Sequence, residues 1–263
     1  MSKVAIVTGA SSGIGYYTAK ALKAKGYVVY GLNRRLIDDK DIRYIKTDVC
    51  DEASVQMSID KIIDEEGHID LLINNAGGGI SGAVEYTDSE EAKWLFNLNF
   101  FGTVNVSKAV IPHMRNQRAG KIVNISSVAA IAPIPFQTYY SATKSAILTY
   151  SMALANELKP FGIVVSAILP GDIRTGFTSA RQKSELGDDV YSGRISRSVS
   201  KMEKDEINGM DPQKAAHIVA KISTSRRKKA VYTIGFSYKC LSLLIKFLPT
   251  SIVNLIIGKL YAN

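Results

Sequence analysis

The fold of this chain is decided near its start, by the stretch Val4-Ala5-Ile6-Val7-Thr8-Gly9-Ala10-Ser11-Ser12-Gly13-Ile14-Gly15. The apolar run predicts a buried strand, the glycines predict a tight turn, and the pattern that follows predicts a helix through Lys23. A backbone without Cβ atoms can approach a pyrophosphate closely, and the N–H groups and dipole at a helix start favour its charge. The stretch therefore predicts a strand, a phosphate-binding turn and a helix.

The glycine spacing alone does not settle the ligand. Gly9, Gly13 and Gly15 are spaced Gly-x-x-x-Gly-x-Gly, which differs from the Gly-x-Gly-x-x-Gly dinucleotide fingerprint. The alternative is an ordinary strand-to-helix turn. Residues further along the chain favour the binding site, whose predicted members in this turn are Gly9, Ser11, Ser12, Gly13, Ile14 and Gly15.

Apolar strand candidates alternate with helical patterns along the chain, which is typical of a parallel sheet covered on both faces. The predicted strands span residues 3–7, 28–32, 42–47, 71–74, 121–125, 163–168 and 230–233. In such sheets, ligands bind beyond the carboxyl ends of the strands. We therefore expect one crevice to be lined by Thr8, Asn33, Asp48, Asn75, Ser127 and Pro170.

Three residues further along the chain are suited to proton transfer. Tyr140 and Lys144 are four positions apart, so they share one face of a helix, and Ser127 precedes Tyr140 by thirteen residues. A fixed cation beside a phenol favours the phenolate, so we expect Lys144 to lower the pKa of Tyr140. Ser127 would hydrogen-bond the reacting oxygen while Tyr140 transfers the proton. The alternative is two surface residues on a helix.

Taken together, these motifs resemble the short-chain dehydrogenase/reductase family over nearly the whole chain. The matching segments are Thr8–Gly15, Asn74-Asn75-Ala76-Gly77, Asn99, Ser127, Tyr140, Lys144 and Pro170-Gly171, in that order. The resemblance implies one doubly wound Rossmann-type domain, a nicotinamide cofactor, and hydride transfer between that cofactor and an alcohol or ketone. It also implies catalytic roles for Ser127, Tyr140 and Lys144, and a water held by Asn99 in the proton relay.

The end of the second strand bears on the choice of cofactor. An acidic residue there would bind the ribose hydroxyls of NAD, but the sequence reads Asn33-Arg34-Arg35, with no carboxylate before Asp38. A guanidinium suits a 2′-phosphate, so NADP(H) is expected; the alternative is a solvated turn. The resemblance implies further cofactor contacts by Asp48, Val49, Asn75, Ala76, Gly77, Tyr140, Lys144, Pro170, Gly171, Ile173 and Thr175.

Composition agrees with this class. The 263 residues, 46% of them hydrophobic, are enough for one sizeable core, so residues 1–263 are expected to form a single domain. Cys50 and Cys240 are far apart and lack metal-ligand spacing, which predicts neither a disulfide framework nor a metal site. With the first strand beginning at about Lys3, there is no room for a signal peptide, and a cytoplasmic location is expected.

Two segments bear on the substrate. Residues 177–209 are polar and lack sustained periodicity, which predicts a mobile loop or short helices over the site; the resemblance implies that they select the substrate. Residues 236–263 form an apolar extension resembling that of members acting on hydroxysteroids and other lipophilic alcohols. The extension lacks the run of about 20 apolar residues needed to span a bilayer. Core or interface packing is the favoured interpretation, with membrane contact as the alternative.

The net charge is +9, with a local run at Arg226–Lys229. No nucleic-acid-binding motif accompanies it, so no nucleic-acid partner is expected. The favoured function is an NADP(H)-dependent oxidoreductase for a hydroxysteroid or similar lipophilic substrate. The alternatives are a non-catalytic NADP(H)-binding sensor or scaffold, and a reductase of small polar carbonyls. The resemblance also implies a homodimer or homotetramer built partly on the helices carrying Asn99 and Tyr140.

Overall fold

The structure is a computed structural model and describes residues 2–262. Its strands are β1 (Val4–Thr8), β2 (Val28–Asn33), β3 (Arg43–Lys46), β4 (Leu71–Asn74), β5 (Ile80–Ser81), β6 (Gly120–Ile125), β7 (Ile163–Pro170), β8 (Gln182–Lys183) and β9 (Val231–Ile234). Seven of them form a parallel sheet in the order β3-β2-β1-β4-β6-β7-β9. The two short strands β5 and β8 pair separately.

The helices are α1 (Gly13–Lys23), α2 (Glu52–Glu66), α3 (Ser89–Phe96), α4 (Gly102–Gln117), α5 (Thr138–Leu158), α6 (Phe177–Ala180), α7 (Arg194–Ile207), α8 (Pro212–Thr224), α9 (Phe236–Ile245) and α10 (Thr250–Tyr261). A π-helical turn, Asn97–Phe101, joins α3 to α4. Helices α1 and α8 cover one face of the sheet, and α2, α4 and α5 cover the other. The predicted doubly wound α/β fold with a seven-stranded parallel sheet is therefore confirmed.

Burial on both faces explains why the strands could be identified from sequence. Every residue of β1 and β4 is buried, which requires the continuous apolar runs that mark a parallel sheet. Helices supply the covering side chains, such as Leu22 and Val219 on one face and Ile59 and Val110 on the other. All seven predicted strands are present, with ends displaced by at most two residues, as is usual for element boundaries.

Residues 177–209, predicted to form a mobile loop or short helices, contain the four-residue helix α6 and the longer helix α7. Helix α7 covers fourteen of them and buries Ile195, Val199 and Met202. These three residues are four and three positions apart, so they form one narrow apolar stripe. The remaining positions of α7 are mostly charged or hydroxyl-bearing, so the helix is amphipathic and its period, present in the sequence, was missed. The segment therefore packs on the domain through a helix.

The C-terminal extension forms α9 and α10, which pack beside β7 and β9. Val253 and Ile257 of α10 are buried there against Leu148 and Leu169. None of the helices in residues 2–262 has the length and apolar character required to cross a membrane.

Candidate active site

The glycine turn between β1 and α1 is shaped by close backbone contacts. Gly9 and Gly13 have φ of +64° and +55°, a conformation that favours glycine. A Cβ on Gly9 would lie 2.9 Å from the Cα of Ala76, and one on Gly15 would clash with the Gly9 carbonyl oxygen and the Asn75 amide. The turn is therefore pressed against the loop that follows β4, and only glycine fits at these positions.

This turn fits a dinucleotide phosphate. The first N–H groups of α1 have no acceptor within the helix, and Ser11 and Ser12 are exposed beside them. Nearby, at the end of β2, the Asn33 side chain is buried, and neither of its polar atoms has a hydrogen-bond partner within residues 2–262. A buried amide without a partner is costly, so a ligand that supplies polar groups here would satisfy it.

Positive charge follows the end of β2. Arg34 and Arg35 are both exposed. The carboxylate of Asp39, the nearest half-buried acid, already forms an ion pair with Lys20 at 3.2 Å and a hydrogen bond with Tyr16. These two contacts occupy the Asp39 carboxylate, so it is not free to bind a ribose. Asp48 and Val49 lie after β3, where the Asp48 carboxylate accepts a hydrogen bond from the Cys50 N–H and Val49 packs beside Gly102.

The loop after β4 joins the two halves of the crevice. The Asn75 amide donates to the carbonyls of Thr8 and Gly9 at 3.1 and 3.2 Å, so its side chain holds the glycine turn. The backbone N–H groups of Asn75 and Ala76 both donate to the Thr8 hydroxyl. A Cβ on Gly77 would lie 3.6 Å from Lys144 Nζ. The glycine turn and the Tyr-Lys helix thus converge on this loop.

Asn99 lies in the π-helical turn and clamps the same loop. Its Oδ1 accepts from the Gly78 N–H at 2.8 Å, and its Nδ2 donates to the Gly78 carbonyl at 3.1 Å and to Thr143 at 3.0 Å. The Asn99 backbone carbonyl accepts from the Thr103 hydroxyl. This fully buried side chain therefore fixes the position of the loop relative to α5.

Ser127, Tyr140 and Lys144 meet at the carboxyl end of β6 and the start of α5. Lys144 Nζ lies 5.6 Å from the centroid of the Tyr140 ring and donates to the Ile125 carbonyl at 3.0 Å. Ser127 follows β6, and its hydroxyl accepts from the Ala129 N–H at 3.1 Å. The neighbouring Ser126 instead donates to the Lys144 backbone carbonyl at 2.7 Å, which ties β6 to α5.

The expected lowering of the Tyr140 pKa was wrong for the protein by itself. Burial raises the pKa of Tyr140 to about 12, and hydrogen bonding with Ser127 offsets only part of this effect. Burial also lowers the pKa of Lys144 to about 8. The loss of solvation therefore dominates the pKa of both groups, and the phenol stays protonated.

The buried lysine should destabilise the fold. Lowering its pKa from 10.5 to about 8 costs folding about 3 kcal/mol at neutral pH. Because the unfolded chain binds the proton more tightly, this cost is full below about pH 8 and disappears as pH rises through 10.5. We expect Lys144→Met to be more stable than the wild type at neutral pH, with the difference shrinking above pH 8. Urea unfolding of both proteins across this range measures it.

Lys93→Met provides the control, because Lys93 is a surface lysine of α3. This variant should follow the wild-type pH dependence. A constant difference between Lys144→Met and wild type at all pH values would contradict the buried-charge explanation.

The segment after β7 closes the crevice from the opposite side. Pro170 ends β7, and Ile173 is buried and pairs with Met210. The Thr175 side chain lies across from the glycine turn, 3.6 Å from where a Cβ on Gly13 would stand. Of this segment, Thr175 is therefore the residue that the structure places beside the glycine turn.

Phe177, the first residue of the predicted substrate segment, contacts the Tyr140 ring with centroids 5.6 Å apart. It also packs on Gly79, where a Cβ would lie 2.8 Å from its ring. Residues 177–209 were expected to lie over the site, and their first helical turn, α6, does contact Tyr140.

A buried ion pair beside Phe177 was missed from sequence. The Arg181 guanidinium is fully buried, stacks over Phe177 and forms an ion pair with Glu206 of α7. The Thr178 hydroxyl donates to the same carboxylate at 2.6 Å. In the sequence, Arg181 and Glu206 stand in a polar stretch with other charged residues, and nothing marks them as a buried pair. They anchor α7 beside Tyr140.

The C-terminal extension packs against the Pro-Gly segment. A Cβ on Gly171 would clash with the Tyr238 ring, and the Tyr238 hydroxyl donates to Asp172. Burial raises the pKa of the Asp172 carboxyl. A cavity of about 680 Å³ lies here, with walls that include Asp172, Asp205, Phe236 and Tyr261. Helix α9 therefore contributes to the surroundings of the Pro-Gly segment.

Metal chemistry has no candidate ligand set in the described part of the chain. Within residues 2–262, no group of three or more His, Cys, Asp or Glu side chains is arranged to hold a metal ion.

A doubly wound sheet with a glycine turn after its first strand defines a dinucleotide-binding α/β protein. The chain belongs to the short chain dehydrogenase family, whose sequence model matches residues 3–186. It is therefore an oxidoreductase of a class that uses a nicotinamide cofactor.

Relatives agree with this assignment. The chain is 45% identical over 223 residues to 3-ketodihydrosphingosine reductase of Bacteroides thetaiotaomicron, covering 84% of this chain and 83% of that protein. A short-chain dehydrogenase structure from Streptomyces avermitilis is 31% identical with a TM-score of 0.84, covering 98% of this chain and 96% of that one. The structure of ElxO with NADP bound is 26% identical with a TM-score of 0.75, covering 91% and 100%.

Proposed function

We propose that the protein reduces a ketone to a secondary alcohol, with Tyr140 as the proton donor. The Tyr140 phenol, whose pKa is raised by burial, carries its proton at neutral pH and can therefore donate it to a ketone oxygen. Ser127 hydrogen-bonds the reacting oxygen, and Lys144 places positive charge beside the phenolate that forms. Asn99 holds the loop that carries Gly77 beside Lys144. The nicotinamide cofactor, when bound, supplies the hydride.

The observation that carries this proposal is the convergence of Ser127, Tyr140 and Lys144 at the carboxyl end of β6, facing the glycine turn across the loop after β4. The residues proposed to bind the cofactor are Gly9, Ser11, Ser12, Gly13, Ile14, Gly15, Asn33, Arg34, Arg35, Asp48, Val49, Ala76, Gly77, Tyr140, Lys144, Pro170, Gly171, Ile173 and Thr175. Asn75 is proposed to act mainly by holding the turn.

The proposed cofactor is NADP(H). Arg34 and Arg35 are exposed at the end of β2, and the Asp39 carboxylate is engaged by Lys20. Paired guanidinium hydrogen bonds suit a 2′-phosphate, and the first carboxylate after β2, that of Asp38, comes five residues beyond its end.

Neutralising the two arginines should reverse this preference. In an Arg34→Gln/Arg35→Gln variant we expect NADPH to bind at least about tenfold more weakly and NADH to change little, because charge-assisted hydrogen bonds to the phosphate are lost. Titration of cofactor fluorescence measures both dissociation constants. Arg226→Gln/Arg227→Gln removes two exposed guanidinium groups outside the crevice and serves as the control. Equal losses for both cofactors would refute the phosphate role.

The proposed substrate is a long-chain 3-keto sphingoid base. The relative that is 45% identical over most of the chain is a 3-ketodihydrosphingosine reductase, which favours this lipophilic ketone over the hydroxysteroid expected from sequence. The cavity of about 680 Å³ beside Asp172 provides room near the crevice for part of a long substrate.

A panel of ketones tests this proposal. Purified protein is mixed with NADPH and 3-ketodihydrosphingosine, ketosteroids or small polar ketones, and NADPH absorbance is followed, with NADH as the control. We expect turnover to be fastest with the sphingoid base. Turnover confined to ketosteroids or small polar ketones would refute the substrate class. Tight NADPH binding without any turnover would favour the sensor interpretation.

We also propose a homodimer or homotetramer built on the helices that follow Asn99 and carry Tyr140. The outer faces of these elements expose Phe101 and Met152, two large apolar side chains that an interface would cover. Gel filtration with light scattering tests the oligomer. A cytoplasmic location is part of the proposal, and the free thiols Cys50 and Cys240 are compatible with a reducing compartment.

A further inference from the structure

The net positive charge of this protein arises in its last fifth. Residues 212–263 contain nine Lys and Arg residues and no Asp or Glu, whereas the preceding 211 residues contain 24 basic and 24 acidic residues. The whole net charge of +9 therefore lies in one segment. All nine basic side chains are exposed. They are Lys214, Lys221, Arg226, Arg227, Lys228, Lys229, Lys239, Lys246 and Lys259.

The same segment exposes large apolar side chains. Phe236, the first residue of α9, is 84% exposed, and Phe247, two residues beyond the end of α9, is 79% exposed. Six further apolar residues of this extension are also exposed: Leu243, Leu244, Ile252, Leu255, Ile256 and Leu260. We call these eight side chains the C-terminal apolar surface. Apolar patches of this size on soluble proteins usually mark a contact with a partner or a membrane.

The fold does not require this surface. Helix α9 packs inward through Leu241 and Ile245, and α10 through Val253 and Ile257. An ordinary surface helix carries polar residues on the face that points away from the core. In α9 and α10 that outer face carries the C-terminal apolar surface, with small, polar and basic residues between its members. The outward apolar residues of α9 and α10 are therefore available to contact another molecule.

We propose that the C-terminal apolar surface docks on an anionic lipid bilayer, with α9 and α10 lying in its interface. Apolar side chains can enter the acyl boundary while the exposed Lys239, Lys246 and Lys259 extend toward lipid headgroups. The run Arg226–Lys229, at the other end of β9, adds attraction to a negatively charged membrane surface. The segment docks without spanning, since its helices are ten and twelve residues long.

A second copy of the chain fits this surface less well. A two-fold interface brings the same patch of both subunits together, so Lys239, Lys246 and Lys259 would face another surface that has lysines and no carboxylate. Burying like charges without partners is costly, and lysine is depleted in protein interfaces. Anionic headgroups supply the missing negative charge.

Vesicle binding tests the proposal, without cofactor or substrate, so its outcome is independent of the proposed function. The full chain is floated with vesicles of phosphatidylcholine alone or of about equal amounts of phosphatidylcholine and phosphatidylglycerol. We expect binding to the anionic vesicles, weakening as salt shortens the reach of the charges. Lys239→Gln/Lys246→Gln/Lys259→Gln should bind about a hundredfold more weakly, at about fivefold for each lysine.

A second variant tests the apolar part. Phe247→Ser/Leu255→Ser should lose at least about tenfold in binding, because two exposed side chains no longer enter the bilayer. Met57→Ser changes an apolar side chain of α2 that is 67% exposed, and should bind as the wild type does. Circular dichroism and NADPH binding confirm that each variant is folded.

Two outcomes would overturn the proposal. One is absence of binding to anionic vesicles by the folded wild-type protein. The other is light scattering that shows an oligomer dissociated by Phe247→Ser/Leu255→Ser while vesicle binding is absent or unchanged, which would assign the C-terminal apolar surface to a second copy of the chain.

Discussion

Tyr140→Phe is expected to lose about a thousandfold in turnover while its NADPH affinity stays within about tenfold of the wild type, the most that one lost hydrogen bond costs. Removing the hydroxyl removes the proton that Tyr140 donates to the ketone oxygen, and a positioned general acid contributes about 10²- to 10⁴-fold. The ring remains, so its contact with Phe177 and its position beside Lys144 are retained. Steady-state kinetics and a fluorescence titration with NADPH measure the two quantities separately.

Tyr139→Phe is the matched control, because Tyr139 is the adjacent half-buried tyrosine on the same helix and has Thr143, rather than a lysine, four residues on. It should keep turnover within about twofold of the wild type. Wild-type turnover in Tyr140→Phe would remove Tyr140 from the mechanism. An equal loss in both variants would indicate a general effect on α5.

Gly15→Ala is expected to reduce both NADPH affinity and turnover on the order of a hundredfold. The new methyl group would clash with the Gly9 carbonyl oxygen and the Asn75 amide, and these groups hold the turn to the loop after β4. Moving that turn displaces the proposed phosphate site, and a misplacement of about 1 Å can cost about a hundredfold in rate. Overpacking should also lower the free energy of unfolding by about 1–3 kcal/mol.

Gly258→Ala isolates the effect of the clash. Gly258 is also within a helix, but a Cβ there meets no atom within 4 Å among the described residues. Alanine is the better helix former, so this variant should be as stable as the wild type or more so, with unchanged NADPH affinity. Wild-type affinity in Gly15→Ala would show that the close approach of the turn to Asn75 is unimportant for the cofactor.

Much of the fold could be predicted from the sequence because the residue pattern of each element reflects how that element is buried. A strand covered on both faces needs a continuous apolar run, as in β1 and β4, and a turn pressed on a neighbouring loop needs glycine, as at Gly9 and Gly15. The spacing from Ser127 to Tyr140 and Lys144 also carried over, since these residues lie at the end of one strand and on one helix face.

The electrostatics of the site did not follow from the sequence. The spacing of Tyr140 and Lys144 indicates that they are neighbours, but the direction of their pKa shifts depends on how deeply α5 buries them. Similarly, Arg181 and Glu206 are 25 residues apart, and only the packing of α7 brings them together. Local sequence patterns do not show how deeply tertiary packing buries a side chain.

The C-terminal extension illustrates the same limit. Its apolar residues predicted packing, and Val253 and Ile257 do pack in the core. The sequence could not tell these inward residues from Phe247 and Leu255, which are equally apolar but exposed. Only the placement of α9 and α10 separates the two faces.

Isotope labelling directly measures the proposed hydride transfer from NADPH to a sphingoid ketone. Protein is incubated with 3-ketodihydrosphingosine and NADPH carrying deuterium at one face of the nicotinamide C4, then at the other, and the product is analysed by mass spectrometry. We predict a secondary alcohol that gains one deuterium from only one of the two labelled cofactors, and no product with Tyr140→Phe on the same timescale. Unlabelled product from both cofactors, or bound NADPH with no alcohol formed, would contradict the account.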